Sequence, residues 1–163
     1  MILESLLVDV EKSALGELIR SLGSWTYAFI NLAHIIGVAT LFGAVLILDL
    51  RLIGWRRKFN LADVATITLP FAKVGFVVSA ISGICMLSVN ATEYIGNPFL
   101  IIKFGALFVA LFNAVLIHHV AAWKSQMALE PATHNGRSLV MFGFVSLVAW
   151  LTVVSAGRMI AYW

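Results

Sequence analysis

The sequence predicts an all-α fold, a four-transmembrane-helix bundle preceded by an N-terminal amphipathic surface helix, and three observations predict it. Of 163 residues, 61% are hydrophobic and only 12% charged, with a mean hydropathy of +0.99, a composition foreign to soluble domains. Charges and turn formers divide the chain into four apolar stretches, each close to the roughly 20 residues needed to cross the hydrocarbon core. Strand-like alternation is absent, and a segment in lipid must satisfy its own backbone amides, so each stretch is expected to be a helix.

The expected organisation is an interfacial helix over 1–22 and a single transmembrane domain over 23–163. Its spans fall at about 25–50, 69–90, 98–123 and 138–163. In 2–22, Leu3, Leu7, Val10, Leu15, Leu18 and Leu22 recur at helical spacings, with Glu4, Glu11, Lys12 and Glu17 elsewhere around the helix. That pattern predicts a helix lying on the outer membrane surface. Acidic residues interrupt the stretch and no basic segment precedes it, which argues against a cleaved signal peptide. Between the second and third spans, Gly96, Asn97 and Pro98 form a turn, with Pro98 at the first helical position.

Arg51, Arg56, Arg57 and Lys58 crowd the first connection, and Lys124 and Arg137 flank the third, whereas the second carries only Glu93. The positive-inside rule then places both termini outside a bacterial inner membrane. The net charge of +3 therefore orients helices, and nucleic acid is excluded as a partner. Cys85 is the one cysteine; it has no disulfide partner and reads as a small packing residue. No repeat or low-complexity tract appears.

Small residues at helix-contact spacing, Gly75, Ser79 and Gly83 in the second span and Ala39 and Gly43 in the first, predict close helix packing. Ionisable groups within the spans carry more information, because they are costly in hydrocarbon and normally face the bundle interior. His34 is expected about 13 Å below the outer interface, with Gly37 and Gly83 leaving room beside it. Tyr94, Asn97, Lys103 and Arg158 are expected nearer the outer surface, where two cations would suit carboxylates such as haem propionates. His118 and His119 fall at the inner end of the third span, and the rise per residue sets His118 about 10 Å deeper than His34. One shared iron would then need a shifted third helix; two separate sites are the alternative. His134 lies in a polar loop and reads as solvated. Asp49 and Arg51 are too close in sequence to face each other, and Lys73 is the expected partner for Asp49. Asn113 is expected to form an interhelical hydrogen bond. Nothing matches a nucleophile triad, a phosphate-binding loop, a paired-carboxylate site or a CxxC motif, so no catalytic residue is assigned.

From Trp25 onward the chain resembles a family of bacterial four-span membrane proteins known as a domain of unknown function. The resemblance is carried by LAHIIGVATLFGAVLILDLRLIG, SGICML, ATEYIGNPFLIIK, FNAVLIH and AWLTVVSAGRMIAYW. It implies buried histidines at His34 and His118, making His119 the bystander of its pair. It matches also at Asp49, Arg51, Tyr94, Asn97, Pro98, Lys103, Asn113, Gly157 and Arg158. A more distant architectural similarity links the histidines to those of CopD-like copper-resistance domains and small b-type cytochromes.

The leading expectation is a membrane haem-binding, b-type cytochrome-like protein that transfers electrons, rather than a stand-alone enzyme. Haem b would be ligated by His34, with His118 its partner or a second site, and Tyr94, Lys103 and Arg158 would hold propionates. Two alternatives stand beside it: copper or other transition-metal handling through His34, His118 and Met86, and a non-catalytic anchor subunit of a membrane complex. The expected partners are the lipid bilayer, a redox partner or quinone, and a homo-oligomer.

Overall fold

The computed structural model describes residues 2–128 and 136–163, with side chains from Glu4 onward; Leu3 of the predicted stripe and His134 lie outside the described side chains. The described residues are helical throughout apart from turns. In chain order the helices are α1 (Ile2–Glu11), α2 (Ala14–Ser21), α3 (Ser24–Ile53), α4 (Leu61–Val89), α5 (Pro98–Ile117), α6 (Ala121–Met127) and α7 (Arg137–Met159). Short 3-10 turns follow α4 at Ala91–Tyr94 and α7 at Ile160–Tyr162.

Four of these helices are long and apolar enough to cross a membrane: Ser24–Ile53, Leu61–Val89, Pro98–Ile117 and Arg137–Tyr162. Their outward faces are apolar too. Phe29, Ile36, Phe71, Ile81, Phe108 and Phe112 are all more than half exposed, a surface that has lipid rather than water as its natural solvent.

The helix ends differ from the sequence expectation at three places. The N-terminal segment is two helices, because Ser13 turns extended (φ −66, ψ 153) and caps α2 by accepting from the Gly16 amide. The helix of the second span starts at Leu61 rather than near Leu69 and runs through Pro70. The third span's helix stops at Ile117, and the stretch to Trp123 is a turn at His118–Val120 leading into α6.

Contacts divide the chain into two units, Met1–Leu41 with Lys73–Pro98, and Phe42–Ala72 with Phe99–Trp163. In the first, α3 meets α4 backbone to backbone. A Cβ on Gly75 would lie 2.5 Å from the Leu41 amide nitrogen, and one on Gly37 would lie 2.8 Å from that of Ser79. Only glycine permits this approach. The contact therefore uses Gly37 and not Ala39 or Gly43, since Ala39 is exposed and Gly43 has open space around it.

The N-terminal helices dock on the end of α4. Glu11 Oε2 accepts from the amide (2.6 Å) and hydroxyl (2.7 Å) of Thr92. Arg20 donates to the carbonyls of Ser88 (3.2 Å), Val89 (3.0 Å) and Glu11 (2.8 Å), satisfying carbonyls that a helix end leaves without intrahelical partners. Leu7 and Ile19 are buried, while Leu15 and Leu18 on α2 and Leu22 at its C-cap form an exposed stripe. These helices thus have one face on the protein and an apolar stripe left outward.

In the second unit, Leu48, Leu52, Leu61, Ala65, Ile117, Trp123 and Leu139 form the core. Gly143 brings α7 onto α3, since its Cβ would lie 3.1 Å from the Asp49 carbonyl oxygen. Asn113 supplies the expected interhelical bond, donating to the Phe142 carbonyl at 3.1 Å. Asp49 is 3% exposed. Among the described residues its hydrogen-bond partner is Ser146 on α7, and Asp49 Oδ2 has none; Lys73, the partner the sequence suggested, is exposed and belongs to the first unit.

Candidate functional site

Helical spacing puts His34, Gly37 and Leu41 on one side of α3, three or four residues apart, and Ser79, Ser82 and Gly83 on one side of α4. The glycine contact between Gly37 and Gly75 holds these sides together. The His34 ring, half-buried, consequently lies against α4. Its Nδ1 is 3.0 Å from the Ser79 carbonyl oxygen and 3.1 Å from Ser82 Oγ.

A carbonyl oxygen can only accept, so Nδ1 must carry a proton. The Ser82 hydroxyl spends its own proton on the Val78 carbonyl, at 2.6 Å, and so also presents a lone pair to His34. Two acceptors therefore fix the tautomer, and in neutral imidazole the basic lone pair is then on Nε2. Gly83 gives the ring its place: a Cβ there would lie 3.1 Å from His34 Cε1, closer than carbon atoms normally pack. The room that Gly37 and Gly83 were expected to leave beside His34 is thus filled, at Gly83 by the imidazole itself and at Gly37 by α4 backbone.

Toward the end of α4, Met86 continues the side of Ser79, Ser82 and Gly83, half-buried. Tyr94 also belongs to this unit. Burial pushes its phenol above the usual value, and Tyr27 and Glu93 nearby push the same way, so it remains a hydrogen-bond donor at neutral pH. Asn97 is 3% exposed.

The other predicted site residues belong to the second unit. Lys103 lays its side chain along Gly157, with Cε 3.7 Å and Nζ 3.8 Å from where a Cβ would stand. Arg158 is exposed, donates to the Tyr162 hydroxyl and sits over that ring, 4.8 Å from its centroid. His118 is exposed at the end of α5. Its Nδ1 lies 2.7 Å from the Ala114 carbonyl oxygen, which again makes Nδ1 the proton-bearing nitrogen, and its ring rests against Trp123 at 5.5 Å. Among the described residues, no three of His, Cys, Asp and Glu gather into a metal-holding group.

Sequence reasoning read Ser79 only as a small packing residue and did not single out Ser82. The legible signal was their spacing, since 79, 82 and 83 share a helix face with the glycine stripe.

Fold and site together define a class: an all-α protein with four helices able to cross a membrane and one imidazole anchored between two of them. Compared with family models, curated proteins and solved structures, the chain matches none.

Proposed function

We propose that this is a haem-binding, b-type cytochrome-like protein of the bacterial inner membrane, with His34 as axial ligand through Nε2. The observation that carries the reading is the pair of acceptors on Nδ1. Ligating histidines almost always donate their other ring N–H to a carbonyl or carboxylate, which orients the ring and raises the basicity of the coordinating nitrogen. His34 has that arrangement on a helix that suits a membrane interior.

Bound haem would supply one-electron chemistry that no amino-acid side chain here provides. The chain's own contributions are distinct. Ser79 and Ser82 hold the imidazole, and Gly83 admits its ring. His118 has a similarly fixed tautomer and is a second candidate ligand within its own unit. In this reading both termini face outside, which is supported by the basic residues Arg51, Arg56, Arg57 and Lys58 in or beside the first connection.

One observation favours copper as the second reading: Met86 follows Gly83, on which the His34 ring rests, by about one helical turn, and thioether and imidazole are ligands that suit Cu(I). Elemental analysis of protein purified in detergent from haem-replete cells, with a visible spectrum of the same sample, separates the two. Stoichiometric iron with a reducible Soret band supports haem; stoichiometric copper without a Soret band supports the second reading. A colourless preparation with neither metal overturns both.

A further inference from the structure

The second unit contains a cavity of about 330 Å³ lined by Arg51, Arg57 and Arg137 together with Gln126. Its floor is apolar: Leu61 and Leu139 belong to the buried core and also line the cavity. Among the described lining residues there is no carboxylate.

The local backbone is built to aim one of these arginines. After α3, Gly54 (φ +114) and Arg56 (φ +53) both take left-handed conformations, reversing the chain so that Arg57 folds back over the helix end. A Cβ on Gly54 would lie 2.7 Å from Nε and from Nη2 of Arg57, so the absence of a side chain there gives the guanidinium its position. Arg51 is tied down by donating from Nε to the Phe59 carbonyl at 2.7 Å, and the two guanidiniums lie near enough to repel each other. Gly136 and Arg137 add the start of α7. Three cationic side chains, a helix start and an apolar floor together suit an anion with an apolar attachment.

Depth narrows the chemistry. Arg51 and Arg137 stand at the ends of the membrane-crossing segments Ser24–Ile53 and Arg137–Tyr162, which is the level of lipid phosphates. We propose that this cavity is a binding site for a phosphate-bearing anion, taken either from the headgroup of an acidic phospholipid or from a soluble phosphate compound at the same surface.

The full-length protein would be loaded with mixed phosphatidylglycerol and phosphatidylcholine micelles and its retained lipid counted by native mass spectrometry, with a parallel titration of pyrophosphate. Arg57→Gln and Arg137→Gln are each expected to weaken binding about fivefold, the contribution of one basic residue near an anionic surface. Gly54→Ala keeps every charge and is expected to act like Arg57→Gln by displacing its guanidinium. Lys58→Gln removes a charge from the same connection but does not line the cavity, and should have no comparable effect. Arg57 is exposed, so its truncation leaves the core intact. Preference for phosphatidylglycerol with this variant pattern identifies the lipid source. Pyrophosphate binding with the same pattern and no lipid preference identifies the soluble source. If the cavity variants lose no more than Lys58→Gln with either probe, the proposal is overturned.

Discussion

Nδ1 of His34 on α3 lies 3.0 Å from the Ser79 carbonyl oxygen on α4, so the orientation of the imidazole is set by backbone of the neighbouring helix. Ser82 Oγ, at 3.1 Å, is the second acceptor. Ser82→Ala removes one acceptor and leaves the carbonyl. Loss of such outer partners typically costs 10–100-fold in metal affinity, and with one acceptor retained about tenfold is expected, measured by haem titration of the apoprotein. Gly83→Val, which places carbon where His34 Cε1 rests, should abolish binding while the helical circular dichroism is retained.

Gly75 sits in backbone contact with Leu41 and Gly37. Gly75→Ala forces α3 and α4 apart and is expected to destabilise by about 1–3 kcal/mol, the usual cost of overpacking. Gly43→Ala meets open space and should be neutral or mildly stabilising through helix propensity. Thermal denaturation in one detergent compares the two.

Among the described residues, Asp49 has Ser146 as its hydrogen-bond partner and a second buried carboxyl oxygen with none. Ser146→Ala leaves the carboxyl without that donor and should cost about 1–3 kcal/mol. In an Asp49→Leu background the same substitution should cost much less, because the acceptor is gone. A double-mutant cycle by denaturant unfolding gives the coupling directly.

The docking of α1 depends on ionised Glu11. Hydrogen bonds from the Thr92 amide and then the Thr92 hydroxyl hold its carboxyl below the usual 4.5, with Arg20 helping, against a smaller opposing effect of burial. A lowered folded value means the contribution is complete above pH 4.5 and is lost as pH falls through that lower value. Hydrogen exchange of α1 amides should therefore be pH-insensitive in its protection from 7 down to about 5 and lose protection in stronger acid. Glu11→Gln should show the weaker protection at every pH.

The four spans were legible from their apolar length, and His34 stood out as a polar group needing a partner because an imidazole in an uncharged run has few reasons to be there. Its partners were harder to see: a backbone carbonyl leaves no trace in a sequence, and serine in a membrane helix reads equally well as packing. Glu11 and Arg20 lie on polar helix faces that ordinarily meet water, so nothing local announced that they cap and clamp the end of α4. The start of α4 was hidden by Pro70, which usually marks a helix start or break, and the end of α5 was hidden because LIHHVAAW contains neither glycine nor proline. Asp49 found Ser146 because Gly143, one turn earlier on α7, lets the α3 backbone come close.

The reduced-minus-oxidised visible spectrum of the purified protein, recorded beside His34→Ala and His118→Ala, tests the central claim. A b-type spectrum is expected in the unmodified protein, with its loss, or a large fall in haem content, in His34→Ala with the fold retained. An unmodified protein without haem, or a His34→Ala variant with an undiminished spectrum, would contradict it.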